Sequence, residues 1–127
     1  MVRILLIGFA GALGTIARYL IGSWAGKTLG TSFPYGTLIV NVTGCFLISL
    51  VAQLALSTTL ISPTLRLTLT TGFMGGLTTY SSFNFETTNL FRERGWGMGL
   101  VNLGVTLAVC FFAGLLGLAA ARRLVGS

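Results

Sequence analysis

The residues able to do chemistry in this chain crowd into one stretch, GFMGGLTTYSSFNFE, at positions 72–86. Three glycines, five hydroxyls, an amide and a carboxylate stand there in an otherwise apolar neighbourhood. Gly75 and Gly76 adjoin the β-branched pair Thr78 and Thr79. Each glycine weakens a helix by about 1 kcal/mol relative to alanine, so the pattern predicts an unwound turn. Such a turn frees backbone carbonyls, and broken membrane helices use freed carbonyls to hold cations. The plainer alternative is a glycine kink whose neighbouring hydroxyls bond back to the preceding turn. Beyond the turn, Tyr80 and Phe83 are three apart and share one helix face, while Ser82 and Glu86 are four apart and share another. Two aromatics at that spacing ordinarily pack. Their ring edges also carry positive quadrupole density, which can face an anion without the grip of a full charge.

Other polar residues sit singly inside apolar runs. Asn41 lies within GTLIVNVTG, and Asn102, Thr106 and Cys110 form a stripe at every fourth position. A buried amide in a bilayer is interhelical glue or a ligand. Neutral donors on several elements, with little charge among them, suit a small solute that needs hydrogen bonds better than an organic cation. There is no histidine, no CxxC and no candidate triad, so the chain does not read as an enzyme. Cys45 and Cys110 read as small buried hydrophobes with no disulfide or metal role.

The elements that must position these groups are membrane helices. The chain has 127 residues, 54% hydrophobic and 8% charged, against about a quarter charged in soluble domains. Its mean hydropathy is +0.90. Four spans of roughly the ~20 residues needed to cross ~30 Å of hydrocarbon are predicted: Ile4–Ser23, Gly36–Leu56, Leu65–Phe91 and Met98–Ala121. The short connections are AGKTLGTSFPY, STTLISPT and RERGWG. Glycines within the first span, and three spans after it, argue against a secretory signal peptide. Trp24, Tyr35 and Trp96 fall at predicted span ends, as interfacial aromatics do. Gly8, Gly11 and Gly14, with the GxxxG pairs Gly22/Gly26 and Gly72/Gly76, predict close helix contact. The fold expected is an all-α integral membrane protein, residues 1–127 forming one four-helix domain with a broken third helix.

The net charge of +6 comes from scattered residues, with no basic face for nucleic acid. Four spans put Arg3, Arg66, Arg122 and Arg123 on one side and Arg18, Lys27, Arg92 and Arg94 on the other. This even split gives the positive-inside rule nothing to act on. Either the chain inserts both ways and pairs head-to-tail with itself, or the count is too coarse and one charge decides.

Three motifs, met in order along the chain, carry a resemblance. GALGTIARY, GTLIVNVTG and GFMGGLTTYSSFNFE resemble the glycine–arginine motif, the asparagine motif and the broken-helix signature of the Fluc (CrcB-type) fluoride channels. The resemblance covers essentially the whole chain. It implies an antiparallel dual-topology homodimer in the bacterial inner membrane, with two fluoride pores and a structural sodium ion (Na+) at the dimer centre. The carbonyls of Gly75 and Thr78 would hold the sodium. Asn41, Tyr80, Ser81, Ser82, Phe83, Asn102 and Thr106 would line the fluoride pathway, with Arg18, Glu86 and Cys110 as further candidates at the pathway or its vestibule. Tyr80 stands where the family usually has phenylalanine, and Asn84 where serine is common. The implied activity is passive export of cytoplasmic fluoride. The rival is a small dual-topology, proton-coupled multidrug exporter. Such exporters need an acid within the first span, which this chain lacks. A subunit that only packs helices against a partner would need neither a polar break nor separate donor stripes.

Overall fold

The computed structural model describes residues 1–126, and every described element is helical. Helix α1 spans Val2–Thr28, α2 Tyr35–Ser57, α3 Pro63–Leu67, α4 Gly75–Leu77, α5 Tyr80–Arg94 and α6 Trp96–Val125. A π-helical stretch, Thr68–Met74, joins α3 to α4. Helices α1, α2 and α6 are long and apolar enough to cross a membrane. At 1.5 Å per residue the 27 residues of α1 reach about 40 Å, more than the hydrocarbon thickness.

The helices outrun their predicted bounds because local capping carries them further. Ala25–Thr28 continue α1, and the Leu29 N–H closes it on the Ala25 carbonyl at 2.7 Å. Pro34 precedes α2, and Pro63 opens α3, where its missing N–H has no helical partner to lose. The Ser62 hydroxyl accepts from the Leu65 N–H at 3.1 Å, an N-cap. The expected loop RERGWG nearly vanishes, since Arg92, Glu93 and Arg94 end α5 and Trp96 begins α6. Only Gly95 lies between, at φ +88 and ψ 175, a conformation that L side chains avoid. One glycine there replaces a longer connection.

The expected Leu65–Phe91 span is not a single helix. Here the reading of the glycine pair needs correction. Gly75 and Gly76 are helical; the extended residues are Thr78 (φ −87, ψ 158) and Thr79 (φ −152, ψ 123). Branching at Cβ makes threonine a natural occupant of extended backbone. Gly76 serves contact instead, while Gly75 is exposed. A Cβ on Gly76 would run into the Gly11 carbonyl and lie 3.0 Å from the Thr15 N–H nitrogen, both on α1. Gly14 likewise abuts the Phe73 carbonyl. Gly8 faces open space, so the expected glycine stripe on α1 meets its neighbour through Gly11 and Gly14 alone.

Packing follows from these close approaches. The most extensive contact joins α2 to α6, and α1 packs on the π-helical stretch, α4 and α2. At Gly117 of α6 a side chain would strike the Phe46 carbonyl of α2. Helix α5 lies on α6, with Gly99 beneath the Phe91 ring. The buried core is thin: Val40, Met74, Leu77, Phe83, Leu90 and a few alanines. Large apolar side chains such as Phe9, Leu13, Phe111, Phe112 and Leu116 point outward, as they do on helices solvated by lipid.

Candidate functional site

The site is organised around Thr78 and Thr79. Where a helix unwinds, its backbone groups need new partners, and side chains supply them. The Thr79 N–H donates to Asn41 Oδ1 at 2.8 Å, and Asn41 Nδ2 donates to the Thr79 carbonyl at 3.0 Å. The amide on α2 thus mimics a strand, pairing both backbone groups of one residue. Thr79 Oγ1 caps α5 by accepting from the Ser82 N–H at 3.2 Å. Thr78 bonds back to the Met74 carbonyl through its N–H at 2.9 Å and its hydroxyl at 2.8 Å. Arg18 on α1 donates its Nε to the Gly76 carbonyl at 3.0 Å, closing the end of α4. Gly44 lets α2 approach, because a Cβ there would collide with the Thr78 methyl.

These diversions have a consequence for two carbonyls. In an unbroken helix the Thr79 N–H would donate to Gly75 and the Ser82 N–H to Thr78. Both donors are engaged elsewhere, by Asn41 and by Thr79 Oγ1. The carbonyls of Gly75 and Thr78 are therefore deprived of their helical donors. Gly75 is exposed and Thr78 half-buried in the single chain.

Two clefts flank the Asn41–Thr79 bracket, and Thr79 lines both. The first is an aromatic groove of about 360 Å³, walled by Asn41, Cys45, Met74, Tyr80, Phe83, Thr106 and Cys110 among others. Phe83 is buried and Tyr80 is 79% exposed. Their ring centroids lie 5.9 Å apart, edge to face at 65°. The second cleft, about 560 Å³, is lined by Thr15, Arg18, Thr37, Ser82 and Glu86. Glu86 Oε1 is buried without a hydrogen-bond partner. Ser81 sits apart, exposed, its hydroxyl 3.4 Å from Thr79 Oγ1.

Behind the aromatic groove runs a buried polar chain. Thr106 Oγ1 donates to Asn102 Oδ1 at 3.3 Å, Asn102 Nδ2 to Thr87 Oγ1 at 2.7 Å, and Thr87 to the Phe83 carbonyl at 2.7 Å. The expected stripe thus divides: Thr106 and Cys110 line the groove, while Asn102 is tucked beneath α5 and lies outside the groove's lining. Sequence reasoning placed Thr79 at the turn without giving it a site role, and passed over Thr87. For Thr79 a signal existed, a threonine just before a helix whose third residue needs a cap. Thr87 carried none, since its role depends on Asn102 arriving from another helix.

Comparison with known proteins bears on what such clefts serve. The family model described as "CrcB-like protein, Camphor Resistance (CrcB)" matches residues 5–118. The chain belongs to the CrcB family. A "Fluoride-specific ion channel FluC" of Sorangium cellulosum is 54% identical over 119 residues, covering 94% of each chain. Proteins of the same description from Geotalea daltonii and Geobacter metallireducens are 44% and 46% identical, covering 96% and 98% of this chain and 98% and 100% of theirs. These relatives are described as ion channels, not enzymes. With three helices of membrane-crossing length and this family membership, the chain is a multi-pass protein of the bacterial inner membrane.

Proposed function

We propose that this chain is a fluoride channel that lets cytoplasmic fluoride leave passively. A membrane potential negative inside favours anion exit by ~2.3 kcal/mol per 100 mV. In this reading residues 63–94 form a fourth, interrupted crossing, and two oppositely inserted copies meet to make a dimer with two pathways. The observation that carries it is the shared wall: one amide–backbone pairing, Asn41 with Thr79, holds neutral donors and ring edges around adjoining clefts. The near-full-length likeness to proteins named fluoride-specific channels supplies the ion.

Fluoride is small and strongly hydrated, so a pathway must replace its water without holding it too firmly to leave. The residues fit that demand. Asn41 spends one Nδ2 hydrogen on Thr79 and keeps a second. Ser81 and Ser82 offer hydroxyls, and Tyr80 and Phe83 offer ring edges. Arg18 commits its Nε to Gly76, and its remaining guanidinium N–H groups draw anions into the second cleft. Glu86 shares that cleft, where its carboxylate repels an anion and the Arg18 charge offsets it.

A sodium ion at the dimer centre fits the residues present. Gly75 and Thr78 offer neutral carbonyl oxygens whose helical donors are diverted, the hard oxygen set that alkali and alkaline-earth cations take. Bound there, the ion would tie the interrupted segments of both copies together and raise the potential for anions nearby. Replacing sodium with a large organic cation is expected to weaken dimerisation, read by size-exclusion chromatography or single-molecule subunit exchange; an unaltered dimer would count against these two carbonyls.

The reading as a whole is tested with purified protein in liposomes and a fluoride electrode. Electrogenic fluoride efflux, much faster than chloride efflux, is expected. Equal chloride flux, or proton-coupled uptake of an organic cation, would overturn it.

A further inference from the structure

Three sulfur-bearing residues line the aromatic groove: Cys45 on α2, Cys110 on α6 and Met74 on the π-helical stretch. Neither cysteine is in a disulfide and both are half-buried rather than sealed. The two also line the adjoining apolar cavity between α2 and α6, about 620 Å³, so they stand together at the junction of the two spaces. One turn beyond Cys110, Gly114 brings α6 against α2, where a Cβ would lie 3.8 Å from the Cys45 carbonyl.

Thiols contribute little to the passage of fluoride, because S–H is a weak donor. Their ligand chemistry is of the opposite kind. Thiolate and thioether sulfurs are soft, and they select soft d10 ions over the hard ions that carbonyls and carboxylates hold. Two thiols on separate helices at one junction suit an ion of linear, two-coordinate preference. The position matters too, since the groove wall carrying them is the one carrying Tyr80, Phe83 and Thr106.

We propose that Cys45 and Cys110 form a binding site for a soft d10 cation such as Hg2+, with Met74 as a third soft donor on the same wall, and that the bound ion closes the aromatic groove. Binding is ligand exchange without electron transfer: two S–H bonds break, two S–Hg bonds form, and two protons pass to solvent. The bridge staples α2 to α6 across the groove.

Closure of the pathway rests on the fluoride-channel reading; occupation of the site does not, and the two are measured separately. Detergent-purified protein is treated with mercuric nitrate, freed of excess metal, and weighed intact. One mercury per chain, with two protons lost and both thiols masked to Ellman's reagent, is expected. Cys45→Ser and Cys110→Ser chains should each lose the metal to a competing monothiol that leaves the wild type loaded. Retention by either single variant equal to the wild type, or no retention by the wild type, overturns the site. In liposomes, wild-type fluoride efflux should fall about tenfold or more on metal addition and return with a dithiol, the paired-thiolate geometry being the reason for tight hold. Each variant, compared with its own metal-free rate, should be less affected. A loaded wild type that conducts at its metal-free rate overturns closure while leaving the site standing.

Discussion

The two clefts beside α5 are neighbours that share a wall yet differ in almost every chemical respect. The aromatic groove holds ring edges, sulfur-bearing side chains and hydroxyls such as that of Thr106, whose proton is already committed. The second cleft holds an arginine, a carboxylate and several hydroxyls. Both arise from one helix, because residues 80, 83 and 87 turn one way while 82 and 86 turn the other. Low polarity on one side and charge on the other is a sensible division for a small anion, with attraction in one place and weak, releasable contact in the next. The difference teaches that the break at Thr78 and Thr79 is less a cavity than a partition.

Substitutions can break or sharpen that contrast. The largest effect is expected at the partition. Asn41→Asp removes the donor to the Thr79 carbonyl and sets a carboxylate against it. A charge at mid-bilayer costs about 3 kcal/mol, so fluoride efflux should fall by about two decades and thermal stability in detergent should drop. Normal flux would separate Asn41 from both clefts. On the aromatic side, Phe83→Ile keeps bulk and removes the ring edge, worth about 1 kcal/mol beyond its area. Efflux should slow several-fold at every salt concentration while the protein's elution volume stays unchanged. On the charged side, Arg18→Gln should slow efflux chiefly at low ionic strength, with the deficit shrinking as salt shortens the Debye length to about 3 Å near 1 M. If Phe83→Ile showed the salt dependence and Arg18→Gln did not, the assignment of charge to one cleft would be reversed. The smallest effect is expected at Ser81→Ala, an exposed hydroxyl with one long contact, where stability should hold within about 0.5 kcal/mol.

Much of this was legible before any fold was known. Apolar runs marked the three long helices, and the spacing of Tyr80, Phe83, Ser82 and Glu86 assigned them to two faces, because helix geometry is local. The unwound turn was expected where the glycine pair adjoins Thr78 and Thr79, and only the threonines are extended. Sequence propensity cannot tell a glycine that unwinds a helix from one that lets another backbone come close. Gly76 is the second kind, and only the nearness of Gly11 reveals it. Asn41 was singled out for its burial, yet its partner lies 38 residues away. No local pattern announces such a pairing. The near-absence of a loop between α5 and α6 was hidden for a similar reason, since charged residues and glycines signal a connection but not its length.

The chain of hydroxyl and amide behind Phe83 carries one last implication. A threonine has a single proton to offer, and that of Thr106 is turned away from the groove toward Asn102. A fluoride ion arriving beside it would meet lone pairs until the rotor swings. At 3.3 Å this is the slackest link in the relay, the others being 2.7 Å, so it is the one that yields first. Donation by Thr106 to a passing anion would thus require its hydroxyl to rotate away from Asn102, and a valine there would remove that donor.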